Sequence, residues 1–164
     1  VVQAVPGWSR QLTARTAKTE KLTLLDSGPL ADLQNVTAGR LRIERSLFGP
    51  LLESFVMMEL RKQLEWADTL AQLYYLRTHT GTEVDIVIES TDGRVVAIEV
   101  KATASPDRRD FRGLEFIRDN YPDRFVRGVL LYTGEQTLPF GDRIWAMPID
   151  GLWRWGAVPM DPSG

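Results

Sequence analysis

The sequence predicts a mixed α/β fold, a sheet flanked by helices in the order helix, three strands, helix, strand. Three observations carry this reading. Apolar residues recur at helical spacing from Leu51 to about Trp66 and again after Pro106, whereas Gly81 to Lys101 alternates apolar and polar residues. Between a strand ending at Lys101 and one starting at Phe125 lies a crossover of roughly twenty residues, which suits a right-handed β-α-β unit. The result is an αβββαβ core.

Residues 1 to 45 precede that core. Pro6-Gly7-Trp8 is followed by a polar stretch with Arg10, Arg15 and Lys18, a surface connection, and then by Lys21-Leu22-Thr23-Leu24-Leu25-Asp26. That run predicts a short strand ended by Ser27-Gly28-Pro29. Asp26 or Ser27 could cap a short helix from Leu30 to Leu33. The segment reads either as an interdomain linker with a packing strand or as a source of arginines for phosphate binding.

Gly49-Pro50 opens the clearest helix, Leu51 to about Trp66, with proline at a position where its missing N–H is harmless. Leu52, Phe55, Val56, Leu60 and Leu64 form its apolar stripe, and Met57 and Met58 read as core filler. Glu53 borders the stripe. A carboxylate there is either a half-buried functional group or a first-turn residue stabilised by the helix dipole.

Ala71 to Arg77 is strand-like, and the hairpin over residues 83 to 101 follows it. Alternation places Val84, Ile86 and Ile88 on one face of its first strand and Val96, Ile98 and Val100 on one face of its second. Asp85, Glu99 and Lys101 take the opposite face, provided the turn has the right length. A two-residue turn at Asp92-Gly93 would set Ile86 against Glu99 and divide the carboxylates between the two sides of the sheet. A three-residue loop, Thr91-Asp92-Gly93, with Gly93 left-handed, pairs Ser90 with Arg94 and Asp85 with Glu99 instead. The second register is the predicted one, with the two Cβ atoms roughly 5 Å apart.

After Ala102 to Pro106, Ser105 or Asp107 caps a helix running to about Asn120, stopped by Tyr121-Pro122. Phe111, Leu114, Ile117 and Phe116 face inward, and Arg108, Arg109, Arg112 and Arg118 lie outside or along the rim. Phe125 to Tyr132 is a buried strand, Arg143 to Pro148 a last one, and Leu152-Trp153-Arg154-Trp155 a closing turn.

Composition narrows the chemistry. With 164 residues and 43% apolar content the chain supports one domain with a real core. There is no cysteine and a single histidine, His79, so a metal would have to be held by oxygen, which favours magnesium, manganese or calcium. A net charge of -2 gives no overall basic footprint for nucleic acid. Residues 1 to 45 carry seven Lys/Arg against four Asp/Glu, and residues 46 to 164 carry thirteen against eighteen, so any basic excess is local. No apolar run is long enough for a membrane span and the start has no signal layout, so a cytoplasmic protein is expected. The absence of an initiator methionine reads as a piece of something longer.

Two carboxylates and a lysine on one face suit metal-assisted hydrolysis of a phosphodiester. Asp85 and Glu99 are the candidate Mg²⁺ or Mn²⁺ ligands, with the Val100 carbonyl and waters completing the set. Lys101 is the candidate catalytic lysine, Glu53 an accessory carboxylate, and Arg108, Arg109, Arg112 and Thr103 candidate phosphate contacts. The competing reading is plain: Glu-x-Lys recurs on any solvated strand face.

Helix, Asp on the second strand, Glu-x-Lys on the third, helix and strand resembles the PD-(D/E)xK, or restriction-endonuclease-like, nuclease core. Gly81-Thr82-Glu83-Val84-Asp85 with Ile98-Glu99-Val100-Lys101-Ala102 is similar to its metal-binding hairpin, although no proline precedes Asp85. The whole chain also resembles the uncharacterised C-terminal domain of prokaryotic AAA-type ATPases, through Pro6-Gly7-Trp8-Ser9, Lys21-Leu22 to Asp26-Ser27-Gly28, Gly49 to Val56, Tyr75-Leu76-Arg77, Glu83-Val84-Asp85, residues 97 to 103 and Gly113-Leu114. That resemblance implies a preceding nucleotide-binding domain and a winged-helix segment, with residues 1 to 45 the winged-helix tail and linker and residues 46 to 164 the nuclease-like domain. No G-x-x-x-x-G-K-[ST] loop is present, so ATP would enter only through a domain outside this chain. The expected partners are that ATPase domain, DNA, and a protein partner or second copy. The alternative to a nuclease is a silent nuclease-fold module that binds DNA or a partner and regulates the ATPase.

Overall fold

In the computed structural model, residues 2–9, 21–24 and 48–154 are described. Helix α1 runs from Phe48 to Trp66 and buries Leu51, Leu52, Val56, Met57 and Leu60. It begins three residues before the expected start. Gly49 and Pro50 therefore occupy its first turn, where a missing N–H costs no intrahelical bond.

Strands β3 (Ala71–Arg77), β4 (Glu83–Ser90), β5 (Val95–Lys101), β6 (Phe125–Tyr132), β7 (Leu138–Gly141) and β8 (Ile144–Pro148) form one six-stranded mixed sheet in the order β3-β4-β5-β6-β8-β7. The β3-β4 and β4-β5 pairs are antiparallel; β5-β6 and β6-β8 are parallel. The expected core is present, with β7 added at one edge. The last strand starts at Ile144 because Arg143 takes a left-handed φ of 56° in the turn that leads into it. Between β5 and β6, a 3₁₀ turn over Arg108–Phe111 leads into helix α2, Arg112–Asn120. Asp107, not Ser105, is the cap: its carboxylate accepts the Arg109 N–H, and Asp110 reciprocates by accepting the Asp107 N–H at 2.9 Å. A second 3₁₀ turn, Ile149–Trp153, closes the described chain.

The helices cover opposite faces. Phe111, Leu114 and Ile117 pack with Val87, Val95, Ala97, Phe125 and Leu130, while Leu52, Val56, Met57 and Leu60 pack with Ile86, Ile98, Val100 and Leu131. Strict alternation fails at one point. Tyr74 pairs with Val87 but Leu76 pairs with Val84, so Asp85 and Ile86 together oppose Tyr75. The extra residue reverses the phase of the strand, and Val84 joins the α2-side core, not the α1-side core with Ile86 and Ile88 as alternation implied.

Strands β1 (Val2–Val5) and β2 (Lys21–Leu24) form a two-stranded antiparallel sheet, so the expected KLTL strand is present and has a partner that was not expected. Beyond β1 the chain crosses the edge strand β3: Trp8 N–H donates to Tyr75 O at 2.7 Å and Tyr75 N–H to Pro6 O at 3.2 Å. The Trp8 ring is fully buried and meets Tyr121 edge-on at 4.8 Å. Arg10, Arg15, Lys18, the cap at Asp26 or Ser27, the helix Leu30 to Leu33 and Trp155 lie outside the described residues.

Candidate metal and phosphate site on the central hairpin

The turn between β4 and β5 decides what the hairpin presents. Gly93 has φ 85°, its N–H donates to Ser90 O at 2.9 Å, and Ser90 N–H donates to Arg94 O at 2.9 Å. This is the three-residue loop. Asp92 holds it by accepting from the Ser90 hydroxyl and from the Arg94 N–H. The ladder then runs from Glu89–Val95 to Ile86–Ile98, and just beyond its end the Asp85 and Glu99 side chains meet. At that point a side chain replaces the ladder, because Asp85 Oδ2 accepts the Val100 N–H at 2.9 Å.

Glu99 is 5% exposed and is a buried charged residue within an otherwise apolar strand. Its carboxylate lies beneath the start of α2, at Gly113. A Cβ at Gly113 would stand 2.6 Å from Glu99 Oε1 and 2.4 Å from Glu83 O, so glycine is what allows the helix to sit there. Lys101 Nζ lies 3.4 Å from Glu99 Oε2. Burial pushes the Glu99 carboxyl up to about 9, the negative charge of Asp85 adds to the rise, and Lys101 offsets part of it. Half-burial lowers the Lys101 ammonium, and the facing carboxylates of Glu99 and Asp85 more than reverse that. At neutral pH Glu99 therefore keeps its proton.

These groups open onto a polar cleft of about 390 Å³. Its other walls are the β3–β4 loop at Thr80, Gly81 and Thr82, and the start of α2 at Arg109, Asp110, Arg112 and Gly113. Among the candidate residues, the structure brings together Asp85, Glu99, Lys101, Arg109 and Arg112 and leaves out three. Arg108 and Thr103 do not line the cleft; the Thr103 hydroxyl accepts the Ser105 N–H at 3.2 Å and shapes the loop after β5. Glu53 does not line it either, since α1 covers the opposite face of the sheet. Nor is Glu53 a first-turn residue: α1 starts at Phe48 and carries no acidic group in its first turn. Asp110 and Gly113 were not anticipated. Asp110 had a signal in its spacing from Asp107, and Gly113 in being a glycine within a helical run.

Among the described residues no group of three or more Asp, Glu, His or Cys side chains could hold a metal. Two carboxylates remain, both hard oxygen donors facing each other across adjacent strands and open to a polar cleft. That donor set fits a divalent cation of the magnesium or manganese type that keeps several waters.

The fold and site define an α/β domain, a mixed six-stranded sheet between two helices with a paired-carboxylate and lysine cleft on its central hairpin. Residues 48–152 match the family described as a domain of unknown function (DUF4143), and the chain belongs to that family. The family is known as a C-terminal region of AAA-type ATPases. No curated protein and no solved structure matches the chain. No helix among the described residues is long and apolar enough to cross a membrane.

Proposed function

We propose that this ATPase-associated domain is a metal-dependent nuclease-like module of restriction-endonuclease-like fold, acting on the phosphodiester backbone of DNA. The observation that supports it best is the register of the central hairpin, which sets Asp85 against Glu99 and Lys101 beside Glu99 at the mouth of one polar cleft. In this reading Asp85 and Glu99 hold Mg²⁺ or Mn²⁺, which when bound supplies charge to polarise a phosphoryl oxygen and to acidify water. Lys101 orients the attacking water and offsets charge that develops on the phosphate. Hydrolysis places the water oxygen on phosphorus and releases a strand hydroxyl. To hold the cation, Glu99 would have to lose its proton to solvent.

In the same reading the residues before 46 belong to the winged-helix tail and linker of a cytoplasmic ATPase, and the ATPase domain is the standing partner. The buried Trp8 anchor would tie that linker to the sheet.

The test is cleavage of plasmid and single-stranded DNA in Mn²⁺ by the wild-type chain and by Lys101→Ala. Loss of at least about a hundredfold in the variant is expected for a positioned catalytic group. Equal activity in both forms, or none in either, would sink the hydrolytic reading. It would favour a silent module that regulates the attached ATPase, a reading that draws support from the Asp107 carboxylate already engaging Arg109 at 2.7 Å and from the net charge of -2.

A further inference from the structure

The cleft takes in the loop that follows β3, and beside the start of the same strand lies a second opening. Strand β3 is an edge strand, and among the described residues the leading segment pairs with it at Tyr75 alone. The groove left beside its first residues holds about 330 Å³ between Pro6, Leu64, Ala71 and Leu73, with Arg61 and Glu65 on its walls. Two apolar side chains border it and stand in solvent. Trp66, next to Glu65 in the chain, is 88% exposed, and Leu70, next to Ala71, is 74% exposed. Neither belongs to either core. Tryptophan is the side chain that most often anchors one protein on another. Arg61 and Glu65 lie four residues apart on α1, with the cation first, the weaker order for a pair within a helix. Neither has an ion pair among the described residues.

Whatever covers this face has to fill an apolar groove, take up an indole and offer one charge of each sign. The face itself meets all three demands. It carries groove and projecting side chain side by side, with both charges between them, so it is complementary to its own copy turned about a twofold axis. We infer that this face pairs two copies of the chain, each Trp66 entering the partner's groove and each Arg61 meeting the partner's Glu65. The contact is small, so the pairing is of the transient class, with a Kd on the order of micromolar. It leaves the cleft at the other end of β3 open, and it stands or falls independently of the phosphodiester reading.

Sedimentation velocity of the full chain, from about 1 to about 300 µM, tests this. The wild type is expected to pass from monomer to dimer and no further, because a twofold contact closes on itself. Trp66→Ser should remain monomeric throughout, with an unchanged melting temperature, since the indole packs in neither core. Arg61→Glu and Glu65→Arg should each weaken pairing by at least about tenfold, because each sets like charges together twice per dimer. An equimolar mixture of those two variants should pair as tightly as the wild type, since both contacts are then between opposite charges. Leu138→Ser, on the opposite edge of the sheet, should change nothing. A wild type that stays monomeric, or that grows past the dimer, overturns the inference. So does pairing that survives Trp66→Ser, pairing lost in Leu138→Ser, or a mixture no tighter than the single variants.

Discussion

Glu89 and Glu99 lie on the same face of the same hairpin, with side chains 10% and 7% exposed, and each faces a cation. Glu89, at the turn end, meets the Arg124 guanidinium, which also donates to Gly93 O at 2.7 Å and lies over the Trp8 ring at 5.5 Å. Glu99, at the open end, has Lys101 at 3.4 Å but also the Asp85 carboxylate, and Arg109 and Arg112 line the cleft it faces. The first pair fastens the leading segment, the turn and β4 together. The second has a like charge beside it and space in front of it. Burial of a glutamate is thus common to both ends, and what separates a fastening from a site is the second carboxylate and the open cleft.

If Arg124 is a fastening, its removal should cost the turn end of the hairpin much of its stability. Arg124→Ala leaves Glu89 buried without its guanidinium and strips a cation from the Trp8 ring, a loss of about 3 kcal/mol or more. A denaturant midpoint unchanged from wild type would show that the turn end is not a fastening at all. Cleavage and DNA binding per folded molecule should be unaffected, since Arg124 does not line the cleft.

The next effect belongs to the site end. Gly113→Ala forces a Cβ against Glu83 O and Glu99 Oε1, and the Glu83 contact is with backbone, which cannot swing aside. Overpacking of this kind costs about 1 to 3 kcal/mol. Part of the cost should be relieved when Glu99→Ala is combined with it, because one of the two clashes disappears. A strictly additive double variant would mean that Glu99 does not press on α2 as the geometry indicates.

Much of the central hairpin was legible before any coordinates. Asp92-Gly93 flanked by alternating apolar residues fixes a turn, but a glycine at 93 suits a two-residue turn as well as the three-residue loop, and it is the Ser90–Arg94 hydrogen bonding that selects the loop. What was not legible depends on contacts distant in sequence. The phase reversal at Val84 arises from how Tyr75 on the neighbouring strand is matched, and the Glu89–Arg124 pair joins positions 35 residues apart. Strand β7, Leu138-Pro139-Phe140-Gly141, is short and carries a proline, a composition that argues against a strand except at an edge, where it lies. Glu53 was misplaced for a related reason. Helical spacing shows which residues of α1 are buried but not which face of the sheet receives them.

The effect that builds most gradually is also the most specific to the comparison. Glu99 carries its proton up to about pH 9 in the folded chain against an ordinary value of 4.5. Below the lower value both folded and unfolded states are protonated and the contribution of Glu99 to stability is complete. As pH rises from there towards 9 the unfolded chain has lost the proton and the folded chain still binds it, so stability falls, by at most about 1.4 kcal/mol for each pH unit. Glu99→Gln cannot release a proton. Its melting temperature should match wild type near pH 5, exceed it at pH 8, and the gap should widen steadily between. If Asp85 and Glu99 hold a cation as proposed, added Mn²⁺ should close that gap from the wild-type side, more at pH 8 than at pH 6, because the cation would replace the Glu99 proton. Parallel curves for the two forms would place Glu99 with Glu89, as one more fastened carboxylate.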